Sequence, residues 1–410
     1  MVRLSICMPR KIINIISPHF SPEITAAAHR MEVAAKTLSR AYKVNVFTLT
    51  ERGSKLKSHQ IKCDENLTVN YLAVKSYSKS FFLVRALFEW WYSLKLVRES
   101  NKVKADLVIV SVPFIFLLPV VARYSTARKK IADIRDLVWH YLPATTFFKK
   151  IIKARLASWM HRSLSKFDSI TITNEAEKRW LLSCTSLSEE KLKVIPNGVS
   201  TEKFFKLSEM KYVPHTNKFT ITYIGNIGSS QHFLSLIDAV KDMLDVRLNL
   251  IGDGNEWKNV EKYITNHNIR NVFLHSKKHW IHTLPFYQTS NLLFASLKEE
   301  YDTAIPSKLY EYLATGLPVL YLGNGAASNF LGTYKNTFLV LSYETRYLEK
   351  MIWNIKRLAP VRATNNIHTI GKLFLREKLS ARFIELAAGL LNEKNLSTLF
   401  VEDILLSTEF

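Results

Sequence analysis

The sequence predicts an α/β protein of two parallel-sheet domains, on three observations. Short runs of Val, Ile and Leu alternate with longer amphipathic segments from end to end, the pattern of repeated βαβ units. The chain has 410 residues, more than one hydrophobic core normally serves, so two domains of about 200 residues each are expected. The alternation also restarts after Pro196-Asn197-Gly198, a turn in which proline fixes φ and Asn-Gly accepts positive φ.

In the first half, strands are expected at Lys11–Ile16, Val44–Leu49, Asn70–Ala73, Leu107–Val112, Lys130–Ile134 and Ser169–Thr173. Within Thr25–Arg40, Ala28, Met31, Ala35 and Leu38 recur at three- and four-residue spacing. That spacing makes a helix with one buried face and with His29, Arg30, Lys36 and Arg40 turned outward. Ser17–Ile24 is then a strand-to-helix loop at the carboxyl edge of the first strand, where open α/β sheets bind ligands. The most apolar run, Leu107–Ala122, is too short to cross a hydrocarbon layer of ~30 Å and is interrupted by Pro113 and Pro119, so a buried strand, a loop and a buried helix are expected there. Arg3, Arg10 and Lys11 break the apolar run at the start, and no cleavage pattern follows, so no signal peptide is expected.

In the second half, strands are expected at Phe219–Ile224, Arg247–Ile251, Val272–His275, Asn291–Phe294, Val319–Tyr321 and Thr337–Val340. Gly225-Asn226-Ile227-Gly228, continuing to Gln231, follows the first of these and precedes a helical pattern over Phe233–Met243. Gly252-Asp253-Gly254 repeats the arrangement after the second. Glycines at such positions let backbone N–H groups approach an anion, and a helix N-terminus adds partial positive charge. Each pair alone would serve equally well as a tight turn.

The stretch from Asp302 to Leu320, DTAIPSKLYEYLATGLPVL, carries more information. Pro306 suits the first turn of a helix, Leu309 and Leu313 give it a buried face, and Gly316 with Pro318 closes it. Lys308 and Glu311 then lie on neighbouring parts of one face near the positive helix end. A cation there suits a diphosphate, and a carboxylate one turn on suits the paired hydroxyls of a ribose. An ordinary surface ion pair has the same spacing.

These segments together resemble a known family. VIPNGVSTEKF at Val194–Phe204, GNIG at Gly225, LIGDG at Leu250 and PSKLYEYLATGLPVL at Pro306 are similar to the donor half of GT-B glycosyltransferases of family 4. SPEITAAAHRMEVAAKTLS, with DIRDL at Asp133, resembles the acceptor half of members that build bacterial surface polysaccharides, such as the fucosamine transferases of O-antigen and capsule clusters. Phe374-Leu375-Arg376-Glu377 resembles the closing segment whose last helix returns to the first domain.

The resemblance implies two Rossmann-like domains facing across a cleft: residues 1–195 for the acceptor, 196–373 for the donor, and 374–410 returning to the first. It implies Glu311 on the nucleotide ribose, with Gly225, Asn226, Gly228, Gln231, Gly252, Gly254 and Ala304, Ile305, Pro306 and Ser307 around diphosphate and sugar. Asp302 or Thr303 would meet sugar hydroxyls. Glu23, His29 and Arg30 fall on the acceptor side, and transfer would be retaining, with no metal or other cofactor. Three departures are visible. Of the family's two acidic residues eight apart, the earlier position holds Thr303; its diphosphate Arg and Lys fall at Asn226 and Gln231, leaving Lys308 as the cation; and its His-Asp pair reads Arg135-Asp136.

Lys and Arg number 57 against 35 Asp and Glu, a formal charge of +22, which favours anionic partners. YSKSFFLVRALFEWWYSLKLVR (77–98) and FFKKIIKARLASWMHR (147–162) interleave aromatic and basic residues. Aromatics favour the membrane interface and cations favour anionic lipid. A cytoplasmic protein, peripheral on the inner face of the membrane and acting on an undecaprenyl-diphosphate-linked glycan, is therefore expected. Cys7, Cys63 and Cys184 are odd in number and far apart, so neither a disulfide framework nor a zinc site is indicated. A nucleotide-sugar epimerase of the same fold is the alternative enzyme. Nucleic-acid binding is the alternative for the charge, although the basic residues are dispersed and no recognition motif is present.

Overall fold

The structure is a computed structural model that describes residues 10–23, 25–51, 56–75, 82–112, 114–213 and 217–393. They fall into two compact units, one running to Pro196 and resuming at Arg376, the other Asn197–Leu375.

The first unit opens with β1 (Ile12–Ile16), α1 (Ala26–Leu38), β2 (Lys43–Leu49), β3 (His59–Lys62), β4 (Leu67–Leu72) and α2 (Phe82–Ser100). It continues through β5 (Leu107–Val112), α3 (Leu117–Tyr124), β6 (Lys129–Ile134), α4 (Phe147–Leu164), β7 (Ser169–Ile172), α5 (Glu175–Cys184) and β8 (Leu192–Val194). The second unit holds α6 (Thr201–Ser208), β9 (Phe219–Asn226), α7 (Phe233–Val240), β10 (Val246–Asp253), α8 (Trp257–Asn266), β11 (Val272–His275) and α9 (Leu284–Gln288). Then come β12 (Leu292–Ser296), α10 (Lys308–Thr315), β13 (Val319–Leu322), α11 (Ala326–Leu331), β14 (Thr337–Val340), α12 (Thr345–Leu358) and α13 (Thr364–Leu373). Finally α14 (Arg376–Leu391) rejoins the first unit.

Among the described residues the first sheet has the order β3-β4-β2-β1-β5-β6-β7-β8, parallel except for β3. The second has the order β11-β10-β9-β12-β13-β14, parallel throughout. Each winds outward in both directions from its first strand, so the chain reverses direction between β1 and β5 and between β9 and β12. In such sheets the crevice at the reversal, outside the carboxyl ends of the strands, is where ligands bind.

The core explains the winding. Ile13 and Ile15 of β1 pack with Val44, Val46, Leu107 and Ile109 from the adjoining strands. Met31, Ala35 and Leu38 of α1 close one face, and Phe383, Ile384 and Ala387 of α14 join the same cluster. Thr25 caps α1, its hydroxyl accepting from the Ala28 amide at 3.2 Å. Leu107–Val112 is a fully buried strand leading to α3, as its largely apolar run predicts. No helix among the described residues is long and apolar enough to cross a membrane.

Three expectations change. β3 and β8 were not foreseen: β3 is an exposed edge strand, HQIK, without apolar alternation, and β8 is three residues long. Pro306 does not sit in the first turn of α10, because Ser307 is the N-cap and the helix begins at Lys308. Arg30 does not look outward; only 2% of it is exposed.

Candidate functional site

In the second unit the reversal places the loop after β9 beside the loop that leads from β12 into α10. Lys308 and Glu311 both lie in the first turn of α10, which ends at Gly316 with a φ of 68°. The Lys308 ammonium sits 3.7 Å from the centroid of the Tyr223 ring and donates to the Tyr223 hydroxyl. That hydroxyl donates in turn to the Asn226 carbonyl at 2.6 Å. Burial pushes the Lys308 ammonium down to about 7, and the nearby Glu311 carboxylate partly opposes the shift. Gly225 is required here: its φ is 149°, and a Cβ would lie 2.7 Å from the Lys308 Nζ.

Glu311 is held from another side. Its Oε1 accepts from Lys203 of α6 at 2.8 Å, and the side chains are 24% and 14% exposed. The Lys203 ammonium also lies 5.7 Å from the ring centroid of Trp280. This cation, 108 residues from its partner in the chain, was not singled out by sequence reasoning.

The two glycine segments form one structure. Gly225 and Asn226 are the last residues of β9 and pair in register with Gly252 and Asp253 of β10. They therefore extend the ladder instead of forming the loop expected. Gly252 has a φ of 157°, and a Cβ there would come within 1.7 Å of the Gly225 carbonyl oxygen, so the strand ends approach as only glycine permits. The turn beyond carries donors, each holding a removable partner. The Gly228 amide donates to Gln231 Oε1 and the Ser229 amide to Asn255 Oδ1, both at 3.1 Å. Gly254 donates to Asp253 Oδ1 at 2.8 Å. Amides held only by side-chain oxygens are groups for which an anion can compete.

The remaining positions on this side are loop residues. Thr303 is 7% exposed, and the Asp302 carbonyl accepts from Ala326 at 2.6 Å, which pins the loop to α11. Ala304 donates to the Tyr301 carbonyl at 3.0 Å, and Ile305, Pro306 and Ser307 are half-buried as the chain enters α10.

In the first unit, Arg135 and Asp136 follow the carboxyl end of β6. Arg135 is 8% exposed, and its buried Nε has no hydrogen-bond partner among the described residues. Burial lowers its pKa, opposed first by the adjoining Asp136. Glu177 in α5 is 1% exposed and accepts from the Thr173 amide at 3.1 Å and hydroxyl at 2.7 Å. Burial raises its carboxyl to about 8 despite those bonds, helped by the charge on Asp136. Sequence reasoning did not mark Glu177.

Arg30 meets this cluster from α1, with Nε and Nη2 on the Asp133 carboxylate at 3.2 and 2.8 Å and Nη1 on the Pro196 carbonyl at 2.9 Å. Thr171 donates to the same carboxylate at 2.6 Å, and the guanidinium lies 5.6 Å from the Phe383 ring centroid. Arg30 is thus a buried clamp joining α1 to β6. Glu23 accepts from His19 Nδ1 at 2.7 Å in the loop after β1, and His29, half-buried, lies 4.0 Å from Glu32.

With this geometry in place, residues 27–203 match the family model of Glycosyltransferase Family 4, and residues 206–360 match that of Glycosyl transferases group 1. The chain belongs to these glycosyltransferases. No curated protein matches it in sequence. Solved structures do match in fold. The sucrose-phosphate synthase of Thermosynechococcus elongatus is 14% identical, with 93% of this chain and 100% of that one covered and a TM-score of 0.74. WaaG, a glycosyltransferase involved in lipopolysaccharide biosynthesis, is 13% identical, with 91% and 99% covered and a TM-score of 0.67. Anabaena HepE in complex with UDP is 17% identical, with 92% and 100% covered and a TM-score of 0.64. The glycosyltransferase therefore has the GT-B fold, two Rossmann-like α/β units with parallel sheets.

Chemically, the second unit of the glycosyltransferase offers an ordered carboxylate, two cations, and turn amides with displaceable partners. That set suits a phosphate-bearing ligand with a polyhydroxylated group attached. The family matches also favour glycosyl transfer over the epimerase alternative.

Proposed function

We propose that this glycosyltransferase moves a hexosyl or N-acetylaminosugar unit, with retention, from a nucleotide-sugar donor to a lipid-linked glycan in the assembly of an O-antigen or capsule. The donor half rests on one observation: Glu311 and Lys308 share the first turn of α10, and Lys308 lies against Gly225 at the end of β9. Glu311 takes the ribose hydroxyls, and Lys203 either shares that carboxylate or moves aside. Lys308, the positive end of α10 and the amides after Gly225 take the charge that develops on the leaving diphosphate, so the chain's own groups do the work a metal ion would otherwise do. HepE has been crystallised with UDP and with UDP-glucose, which makes a uridine diphosphate sugar the first donor to try.

The acceptor half rests on exposed apolar side chains among cations. On α4, Phe147 is 79% and Phe148 71% exposed, next to exposed Lys149 and Lys150. On α2, Leu87 is 72% and Trp91 63% exposed, on the same helix as exposed Arg85, Lys95 and Arg98. The aromatics of α2 are divided, since Tyr92 is buried and the rings of Trp90, Phe116 and Trp159 lie 5.8 to 5.9 Å apart. Of the aromatic run, Tyr77 and Phe81 lie outside the described residues, as do Lys79 and the side chain of Phe82. Apolar tips amid cations suit the boundary of an anionic bilayer, where a lipid-linked acceptor would be met at the cytoplasmic face.

Thermal unfolding with UDP-, GDP- and dTDP-sugars tests the donor site, because a true donor binds the folded state and raises Tm. One member of the panel should do so for the wild type and not for Glu311→Ala. The assignment fails if no member shifts Tm, or if Glu311→Ala responds fully.

A further inference from the structure

At the opposite edge of the second sheet, where β9, β10 and β11 begin, lies a cavity of about 400 Å³. Its lining includes Lys218, Leu244, Arg247, Arg270, Asn271 and Phe273. β9 and β10 each run eight residues from this edge to the glycines at their far ends. Gly225 and Gly252 lie six steps from the strand starts, and at about 3.3 Å per residue that separates the cavity from them by ~20 Å, so it is not part of the donor site.

Its charges are unbalanced in a specific way. Lys218 donates to the Leu244 carbonyl, a neutral acceptor. Arg247 donates to Asn249 Oδ1 at 3.2 Å, with its guanidinium 4.1 Å from the Phe273 ring centroid, again with no carboxylate. Arg270 makes no hydrogen bond or ion pair among the described residues. The fourth lining cation, Lys241, is satisfied by Asp238 at 2.9 Å. Against the other three the lining offers one carboxylate, Asp242. Cations gathered on one cavity without matching carboxylates repel one another, and an anion relieves that cost.

Two further features narrow the ligand. Asn271 is fixed by bonds from Nδ2 to the Val240 and Met243 carbonyls at 2.7 and 3.0 Å, and its buried Oδ1 has no partner among the described residues. An acceptor in that state gains from any donor that reaches it, a hydroxyl among them. Beside it, Leu244 is 82% and Phe273 38% exposed, apolar surface on which the C–H face of a sugar ring can rest.

We infer that this cavity is a second carbohydrate site, for a sugar bearing a phosphate or carboxylate. The acid group sits among Lys218, Arg247 and Arg270, a hydroxyl reaches Asn271, and the ring lies on Leu244 and Phe273.

Isothermal titration of the full chain with glucose 1-phosphate, glucose and inorganic phosphate tests this. Glucose 1-phosphate should bind the wild type and Glu311→Ala alike. It should bind Arg247→Ser/Arg270→Ser at least about tenfold more weakly, a loss of about 1.4 kcal/mol or more. Lys218→Ser/Arg270→Ser, which keeps the Arg247–Phe273 stack, should show the same loss with an unchanged melting curve. Undiminished binding by both double variants, or binding that disappears only in Glu311→Ala, overturns the site. Inorganic phosphate binding as tightly as glucose 1-phosphate overturns its assignment to a sugar.

Discussion

Lys308 is the residue on which donor chemistry and burial meet. Against the Tyr223 ring its ammonium titrates at about 7 instead of near 10.5, so above neutrality the empty site holds mostly the free amine. A bound diphosphate brings negative charge that favours the ammonium and raises the pKa. The bound state then holds more protons than the free state, and the sign follows: donor affinity falls as pH climbs above about 7. Calorimetry of UDP binding at pH 8, in two buffers of different ionisation enthalpy, should report uptake of close to one proton. In Lys308→Met that uptake should vanish. Equal heats in both buffers for the wild type would remove Lys308 from the diphosphate site.

At the scale of elements, α4 stands out because its first two turns bury almost nothing. Phe147, Phe148, Ile151 and Ile152 are exposed, as are Lys149 and Lys150. Core packing begins toward its other end, with Met160 and Leu164. Exposed side chains contribute little to folding, so substituting them should change stability by less than about 0.5 kcal/mol. Phe147→Ser/Phe148→Ser should therefore leave Tm in place and reduce cosedimentation with anionic vesicles several-fold, and Lys149→Glu/Lys150→Glu should do the same at low salt. If both variants sediment like the wild type, α4 is not the membrane contact.

For the whole molecule, the return of α14 decides what the first unit is. Leu379, Phe383, Ile384 and Ala387 are each 4% exposed or less and belong to the same core as α1 and β1. Burying a large apolar side chain is worth about 1.5 to 3 kcal/mol. Removing the chain from Arg376 onward should thus lower the first unit's unfolding midpoint in urea sharply, while the second unit, whose cores lack these residues, keeps its own transition. Two transitions unchanged by the truncation would show that α14 is dispensable.

The sequence by itself determined the fold class and most of the elements, because alternating apolar runs and helical spacing are local properties. Leu107–Val112, Val272–His275 and Thr337–Val340 fall where the periodicity puts them. It also marked Lys308, Glu311 and the glycine pairs, whose spacing is local too. Only the tertiary structure decided the partners: Lys203 on Glu311, Tyr223 beneath Lys308, Gly252 against Gly225, and Arg30 turned inward to Asp133. Those contacts join residues 27 to 108 positions apart, and which strand ends meet is set by the sheet order. Helical periodicity calls Arg30 polar and outward; burial with a carboxylate, two hydrogen bonds deep, reverses that because a paired charge is tolerated where a lone one is not.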